Sequence, residues 1–272
     1  MLRVASFNVN GIRAAQRRGL TGWLAASAPD IVAVQEMRCP AGQVPEDALG
    51  GYHLSYHPGE LAGRNGVALL TTVAPVAVRT GFGHRSDQEG RYIETDLDLG
   101  GVRLRVGSVY APKGATWDGP DADPAKYRRK MRFLSSFRAY LTRARREAAR
   151  EGREFLVMGD FNIAHTRNDL RNWRSNQRSE GFLPEEREWF GSILGPRTLI
   201  DVVRHVNPDA EGPYSWWSWR GQAFANDAGW RIDYHLASPA LARAAVVAGT
   251  HRDASYEERM SDHAPVVVDY AL

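Results

Sequence analysis

The stretch Phe155-Leu156-Val157-Met158-Gly159-Asp160-Phe161-Asn162 carries an apolar run straight into a glycine, a carboxylate and a carboxamide. Such a run reads as a buried strand, and a carboxylate at its end is costly to desolvate unless it is paired, hydrogen-bonded or metal-bound. Side chains alternate faces along a strand, so Asp160 and Asn162 point the same way.

Three other segments are built alike. LRVASFNVNG, from Leu2, ends on Asn8 and Asn10; DIVAVQE ends on Glu36; Ser261-Asp262-His263 stands just before Ala264-Pro265 and the apolar VVVDYAL. Taken singly, each is commonplace: an Asx turn, an exposed strand end, a helix N-cap. Together they place carboxylate and carboxamide oxygens with a histidine at the ends of buried strands. That donor set is hard, suited to Mg²⁺ or Mn²⁺ rather than to a thiolate-held zinc. Magnesium takes few carboxylates and completes its shell with water and substrate phosphate. Glu36 and Asp262 as direct ligands, with Asp160 and Asn162 nearby, therefore imply a phosphate ester as substrate.

Strand-length runs recur along the chain: LRVASFNV, DIVAVQE, YHLSYH, GVALLTTV, APVAVRTGF, RYIETDLDL, VRLRVGSVYA, EFLVMGDFN, YSWWSW, WRIDYHLAS, ARAAVVAGT and APVVVDYAL. They are too many for one open sheet and predict two packed ones. The clearest helix spans Pro124 to Glu151, where Tyr127, Met131, Leu134, Leu141, Ala144 and Ala148 follow three- and four-residue spacing between Pro124 and Gly152. Leu20 to Ser27 and Pro184 to Leu194 read as two more. His165 to Gly181 lacks periodicity and reads as a long loop beside the strand that ends on Asp160; loops of that length are usually functional. No linker divides the 272 residues, so the expectation is one α/β domain of two mixed sheets, face to face, with helices outside.

Composition is ordinary for a globular chain, 43% hydrophobic and 25% charged, which is enough to bury a sizeable core. The lone Cys39 excludes an internal disulfide. No apolar run approaches the roughly 18 residues of a membrane span, and MLRVASFNVNG is not built like a secretory signal, so the expected location is the cytoplasm. The net charge of +3 hides two basic stretches. Lys126 to Arg153 reads as a solvated helix face. Arg167, Arg171, Arg174 and Arg178, interleaved with Trp173, have the composition of a nucleic-acid contact.

FNVNGIRA at Phe7 to Ala14, Gln35-Glu36, EGRYIETD around Arg91, Tyr110-Ala111-Pro112, GDFNIAH at Gly159 to His165, DLRN at Asp169 to Asn172, GWRIDY at Gly229 to Tyr234 and SDHAP at Ser261 to Pro265 resemble, in order and from end to end, the exonuclease III family. These are Mg²⁺-dependent apurinic/apyrimidinic endonucleases within the endonuclease/exonuclease/phosphatase superfamily. The resemblance implies a four-layered α/β sandwich with its site at one edge of both sheets. It implies that Asn8, Glu36 and Asp262 hold the metal region with Asn10 beside it, that Asp160 activates water, and that Asn162 orients it. His263 would contact the scissile phosphate, with Asp233 holding the imidazole. Tyr110 is left with two roles, a phosphate contact or a nucleophile-activating phenolate.

By the same resemblance, Trp216, Trp230 and Ile232 line a small pocket for an extruded abasic sugar, while Trp217 reads as core. Arg220 falls where relatives insert a side chain into the duplex, and Arg91 joins the Arg167 to Arg178 loop as a backbone clamp. The implied partner is double-stranded DNA with abasic sites or blocked 3′ ends, engaged by a monomer associated with the nucleoid. Two departures from the family pattern stand out: Met37-Arg38 in place of Thr-Lys, and Lys113 in place of Asn or Gln. The alternatives are a superfamily phosphodiesterase acting on RNA or inositol phosphates, or a DNA-binding relative without activity. Ala164 stands where the phosphatases carry arginine, and Asp160, Asn162 and His263 are all present.

Overall fold

The structure is a computed structural model that describes residues 1–61 and 63–272. Its strands are β1 (Leu2–Asn8), β2 (Ile31–Gln35), β3 (His53–His57), β4 (Val67–Thr71), β5 (Ala77–Thr80), β6 (Tyr92–Leu99), β7 (Val102–Tyr110), β8 (Glu154–Asp160), β9 (Ile200–Asp201), β10 (Asp233–Ala237), β11 (Ala245–Thr250) and β12 (Val266–Tyr270). Its α-helices are α1 (Ile12–Arg17), α2 (Leu20–Ser27), α3 (Pro124–Arg150), α4 (Pro184–Ile193), α5 (Val202–Val206) and α6 (Pro239–Arg243).

Two six-stranded mixed sheets result, ordered β11-β12-β1-β2-β4-β3 and β5-β6-β7-β8-β10-β9. Alternation along each strand sends one set of side chains between the sheets and the other outward under helices. Val4, Ile31, Ala33 and Leu69 meet Leu97, Leu104, Val106, Leu156 and Met158 between the sheets. Ala5, Phe7, Val32 and Val34 face outward against Ile12, Leu20 and Leu24 of α1 and α2. Phe155 and Val157 face outward against Phe133, Phe137 and Leu141 of α3. The architecture is thus the four-layered α/β sandwich. Strands covered on both faces must be apolar at every position, which is why they appear as unbroken runs in the sequence.

The long helix forms where its spacing places it. Asp123 caps it by accepting from the Lys126 amide at 3.0 Å, Pro124 supplies a first-turn residue with no amide to satisfy, and the stripe Phe133, Phe137, Tyr140, Leu141, Ala144 and Ala148 is buried. Burying each phenylalanine contributes roughly 1.5–3 kcal/mol relative to exposure. Most arginines on α3, among them Arg128, Arg132, Arg143 and Arg146, face solvent as expected. Lys130, 2% exposed, and Arg153 just beyond the helix, 7% exposed, are exceptions to that solvated face.

YSWWSW is not a strand. Trp216 makes only single bridges, to Trp230 and to His263, while Tyr214 and Trp217 turn inward against Phe224 and Ala264. Aromatic packing rather than a ladder fixes this segment. The two-residue β9 and the short helices α1, α5 and α6 carry no periodic signal and were not expected.

Strand direction gathers the site. β1 runs parallel to β2 and antiparallel to β12; β7 runs parallel to β8, which runs antiparallel to β10. The last residues of β1, β2, β7 and β8 and the first of β10 and β12 therefore share one edge.

Candidate active site

At that edge Asp160, the last residue of β8, is in register with Asp233 on one side and Tyr110 on the other. The strands on which Glu36 and Asn162 are mounted end in left-handed backbone, φ 53° at Glu36 and 51° at Asn162, with 47° at Asn10. This region is uncommon for side-chain-bearing residues and here breaks each ladder where a polar group is presented.

Asn8 ties the two sheets together. Its Nδ2 donates to Glu36 Oε1 at 2.9 Å and to Asp160 Oδ2 at 3.0 Å. Asp160 also accepts from the Asn162 amide at 2.8 Å and from Asn162 Nδ2 at 3.3 Å, and Asn162 Nδ2 donates to Ala111 O at 2.9 Å. His263 Nδ1 lies 2.8 Å from Asp233 Oδ2, and its Nε2 lies 3.8 Å from Asp160 Oδ2. Asp233 is itself aimed by Ser215, whose hydroxyl donates to it at 2.6 Å while accepting from the Ile232 and Asp233 amides.

Burial, followed by the neighbouring Asp233 and Glu36 carboxylates, pushes the Asp160 carboxyl up to about 7. Burial alone would lower His263, but the adjacent Asp233 carboxylate, supported by Asp160 and Asp262, lifts it to about 10. These surroundings favour the imidazolium, whose Nδ1 is held by Asp233. Burial, then Glu36 and Asp160, raises the Tyr110 phenol well above its ordinary value, against the opposing Arg91. Its hydroxyl is thus kept as a donor.

Glu36, Asp160 and His263 each offer a ligand atom within 4.8 Å of the others, a group that could hold a metal ion. Two carboxylates and neighbouring carboxamides suit a hard divalent cation. Asp262 is engaged differently: its oxygens accept from Asn10 Nδ2 at 2.7 Å and Trp216 Nε1 at 3.1 Å. Burial opposes ionisation of Asp262, but His263 and these two donors more than offset it and hold its pKa below the usual carboxylate value.

A cavity of about 420 Å³ opens over these groups, lined by Glu36, Tyr110, Asp160, Asn162, Asp262 and His263 together with Trp216, Trp230 and Ile232. The two indoles meet edge to face at 6.2 Å. Trp217 is buried against Phe224, as its reading as core requires. The loop from His165 supplies Asn176, Ser179, Glu180 and Gly181 to the rim.

Arg167, Arg171, Trp173 and Arg174 line a second groove, with Arg174 stacked over Trp173 at 4.6 Å; Arg178 and Arg220 are exposed outside it. Arg171 is paired to Glu211 at 2.9 Å. Arg91, read as a backbone clamp, lies beside Tyr110. It is 8% exposed, bound to Glu89 at 2.6 Å and to Tyr110 O at 3.2 Å, and sits over the Tyr110 ring, where it supports Tyr110. Ser215 and Lys130 were missed, the first inside an aromatic run and the second inside a basic one. Arg38 was noted only as a departure; it pairs with Glu36 on the cavity wall.

The chain belongs to the endonuclease/exonuclease/phosphatase family, which matches residues 5–263. Within that family its place is the exonuclease III branch of DNA repair nucleases. Exodeoxyribonuclease III of Haemophilus influenzae is 31% identical over 99% of this chain and 100% of its own length. An AP endonuclease from Archaeoglobus fulgidus superposes with a TM-score of 0.84 at 27% identity, and a 3′ phosphatase from Neisseria bound to a product DNA hairpin with 0.85 at 28%, each over 100% of both chains.

Proposed function

We propose that this chain, acting as a single-domain monomer, hydrolyses the phosphodiester 5′ to an abasic site in duplex DNA with Mg²⁺, leaving a 3′-hydroxyl. The same geometry would serve 3′ to 5′ exonuclease and 3′-phosphatase trimming, and the cytoplasm is its working compartment. The observation that carries this reading is the shared cavity: Trp216, Trp230 and Ile232 line the same space as Asp160, Asn162 and His263. A sugar without a base is cheap to extrude and fills such a space, so damage rather than sequence is selected.

The residues take roles that their surroundings support. Asp160, poised near neutral pH and hydrogen-bonded to Asn162, accepts the proton of the attacking water, and Asn162 orients that water. The His263 imidazolium, held by Asp233, and the neutral Tyr110 hydroxyl donate to the scissile phosphate where its charge grows. Glu36 and Asp160 would hold the ion, with Asn8 bridging them and Asp262 nearby. When bound, Mg²⁺ supplies neutralising charge at the phosphate and the leaving oxygen. The exposed Arg167, Arg174 and Arg178 grip backbone without reading sequence.

The test is a labelled duplex with one tetrahydrofuran abasic analogue, incubated with Mg²⁺, Mn²⁺ or EDTA. Metal-dependent incision on the 5′ side, absent from the undamaged duplex, supports the proposal. An intact abasic strand alongside shortened RNA or phosphate released from an inositol phosphate would move the activity to another branch.

A further inference from the structure

Lys130 lies on α3, in a stretch otherwise exposed and arginine-rich, yet its side chain is 2% exposed. Its ammonium has three protons and three acceptors: Glu186 Oε1 at 2.6 Å, Asn162 O at 2.8 Å and Lys113 O at 3.0 Å. Charge balance needs only Glu186. The other two bonds go to backbone carbonyls in the turns that follow β8 and β7, and both turns contribute to the wall of the catalytic cavity.

The hydrogen-bond donors of Asn162 are already engaged. Its amide and Nδ2 are held by Asp160 and Ala111, and its φ of 51° is a conformation that the residue does not favour by itself. Its main-chain carbonyl is the remaining backbone group, and Lys130 takes it. The Lys113 turn closes over the lysine shaft: at Gly114, φ 80°, an added Cβ would come within 2.6 Å of Lys130 Cδ.

Resting on the catalytic reading of Asn162 given above, we propose that Lys130 is a positioning residue that locks the Asn162 turn against the Lys113 turn. Glu186 serves to make its burial affordable. A buried ion pair can often be replaced by neutral groups at little cost, whereas removing one partner alone is strongly destabilising. Stability and positioning can therefore be separated by choosing which partner is changed.

The experiment compares wild type, Glu186→Gln and the double variant Lys130→Met/Glu186→Gln. It reads kcat and KM on the abasic duplex with Mg²⁺, the thermal midpoint, and the ¹⁵N amide resonances of Asn162. Glu186→Gln should lose stability but keep kcat, because the ammonium still holds Asn162. The double variant should lose kcat by roughly ten- to hundredfold with KM little changed, as expected of a displaced catalytic group, and shift the Asn162 resonances.

A double variant with wild-type kcat or unshifted Asn162 resonances would reduce Lys130 to a core ion pair. In the wild type itself, a coupling across the hydrogen bond from the Lys130 ammonium nitrogen to the Asn162 carbonyl carbon is expected, and its absence overturns the contact whether or not the variants fold. If wild type does not cut the abasic duplex, the functional reading fails, while the resonance and coupling measurements still decide the positioning claim.

Discussion

Asp160 and Asp233 stand opposite each other as register partners at the ends of β8 and β10, with the His263 imidazole reaching both, 2.8 Å from Asp233 and 3.8 Å from Asp160. Two buried carboxylates so placed repel unless a cation lies between them. His263 reaches both, and the Asp233 carboxylate above all favours its charged form.

Removing the base tests the centre of this cluster. Asp160→Asn should lower kcat on an abasic duplex by about 10²–10⁴-fold, the usual contribution of a positioned general base. Single-turnover cleavage at saturating enzyme measures it without interference from product release, and a loss below tenfold would transfer the role elsewhere.

The cluster also sets a pH dependence of stability in EDTA. His263 is held at about 10 against 6.5, so its contribution is complete below 6.5 and lost as pH rises through 10. Asp160, held at about 7 against 3.8, acts in the same direction between those values. The melting temperature should fall as pH rises from about 5 to 10. Asp233→Asn removes the main support of the imidazolium and should flatten the alkaline part of that fall. Calorimetry across this range checks both, and an unchanged slope in the variant would remove Asp233 from this role.

Adding Mg²⁺ should raise the melting temperature over EDTA by mass action, more at pH 8 than at pH 6, since protons compete for Asp160. The shift should vanish in Glu36→Gln/Asp160→Asn. A full shift in that variant would place the ion elsewhere.

In the pocket, Trp230→Ala should weaken binding to abasic duplex by about tenfold, the scale of one lost aromatic stacking partner, and leave binding to undamaged duplex unchanged. Arg174→Ala and Arg178→Ala should weaken both duplexes alike and each reduce the slope of log K against log salt by about one. Fluorescence anisotropy in EDTA separates the two patterns. An equal loss on both duplexes for Trp230→Ala would refute the pocket assignment.

Away from the site, Arg231 is buried between Asp169, 2.7 Å away, and Asp201, also 2.7 Å away. Burial pushes the Asp169 carboxyl up, but Arg231 and Arg204 more than offset it and hold it at about 2. Arg231→Met leaves Asp201 without its ion partner and Asp169 with Arg204 alone, and should cost about 3–5 kcal/mol in urea unfolding. The stability that Asp169 contributes is present above about 3.8 and is lost as pH falls towards 2.

Much of the fold was legible because strands covered on both faces and a helix with one buried stripe leave periodic traces. β9, α1, α5 and α6 were not, being too short to repeat a period, and YSWWSW misled because aromatic residues favour strands and packed loops alike. The site residues were legible where polar groups interrupt apolar runs, as at Glu36, Asp160 and His263. Ser215 had no such contrast, and the contacts of Arg91 with Glu89 and Tyr110 leave no trace in its neighbours along the chain.

By itself the sequence determined which strands are buried, where each one ends in a polar group, and that the donors gathered there are hard, because those are properties of local composition and period. Only the tertiary structure decided that Asn8 bridges Glu36 to Asp160 across two sheets, that Asp262 is held by Trp216, and that Lys130 faces inward to Asn162. Those contacts join residues 28 to 152 positions apart for Asn8, 46 for Asp262 and 32 for Lys130. No local pattern encodes such pairings; they are set by strand order and sheet packing, which bring distant strand ends to one edge.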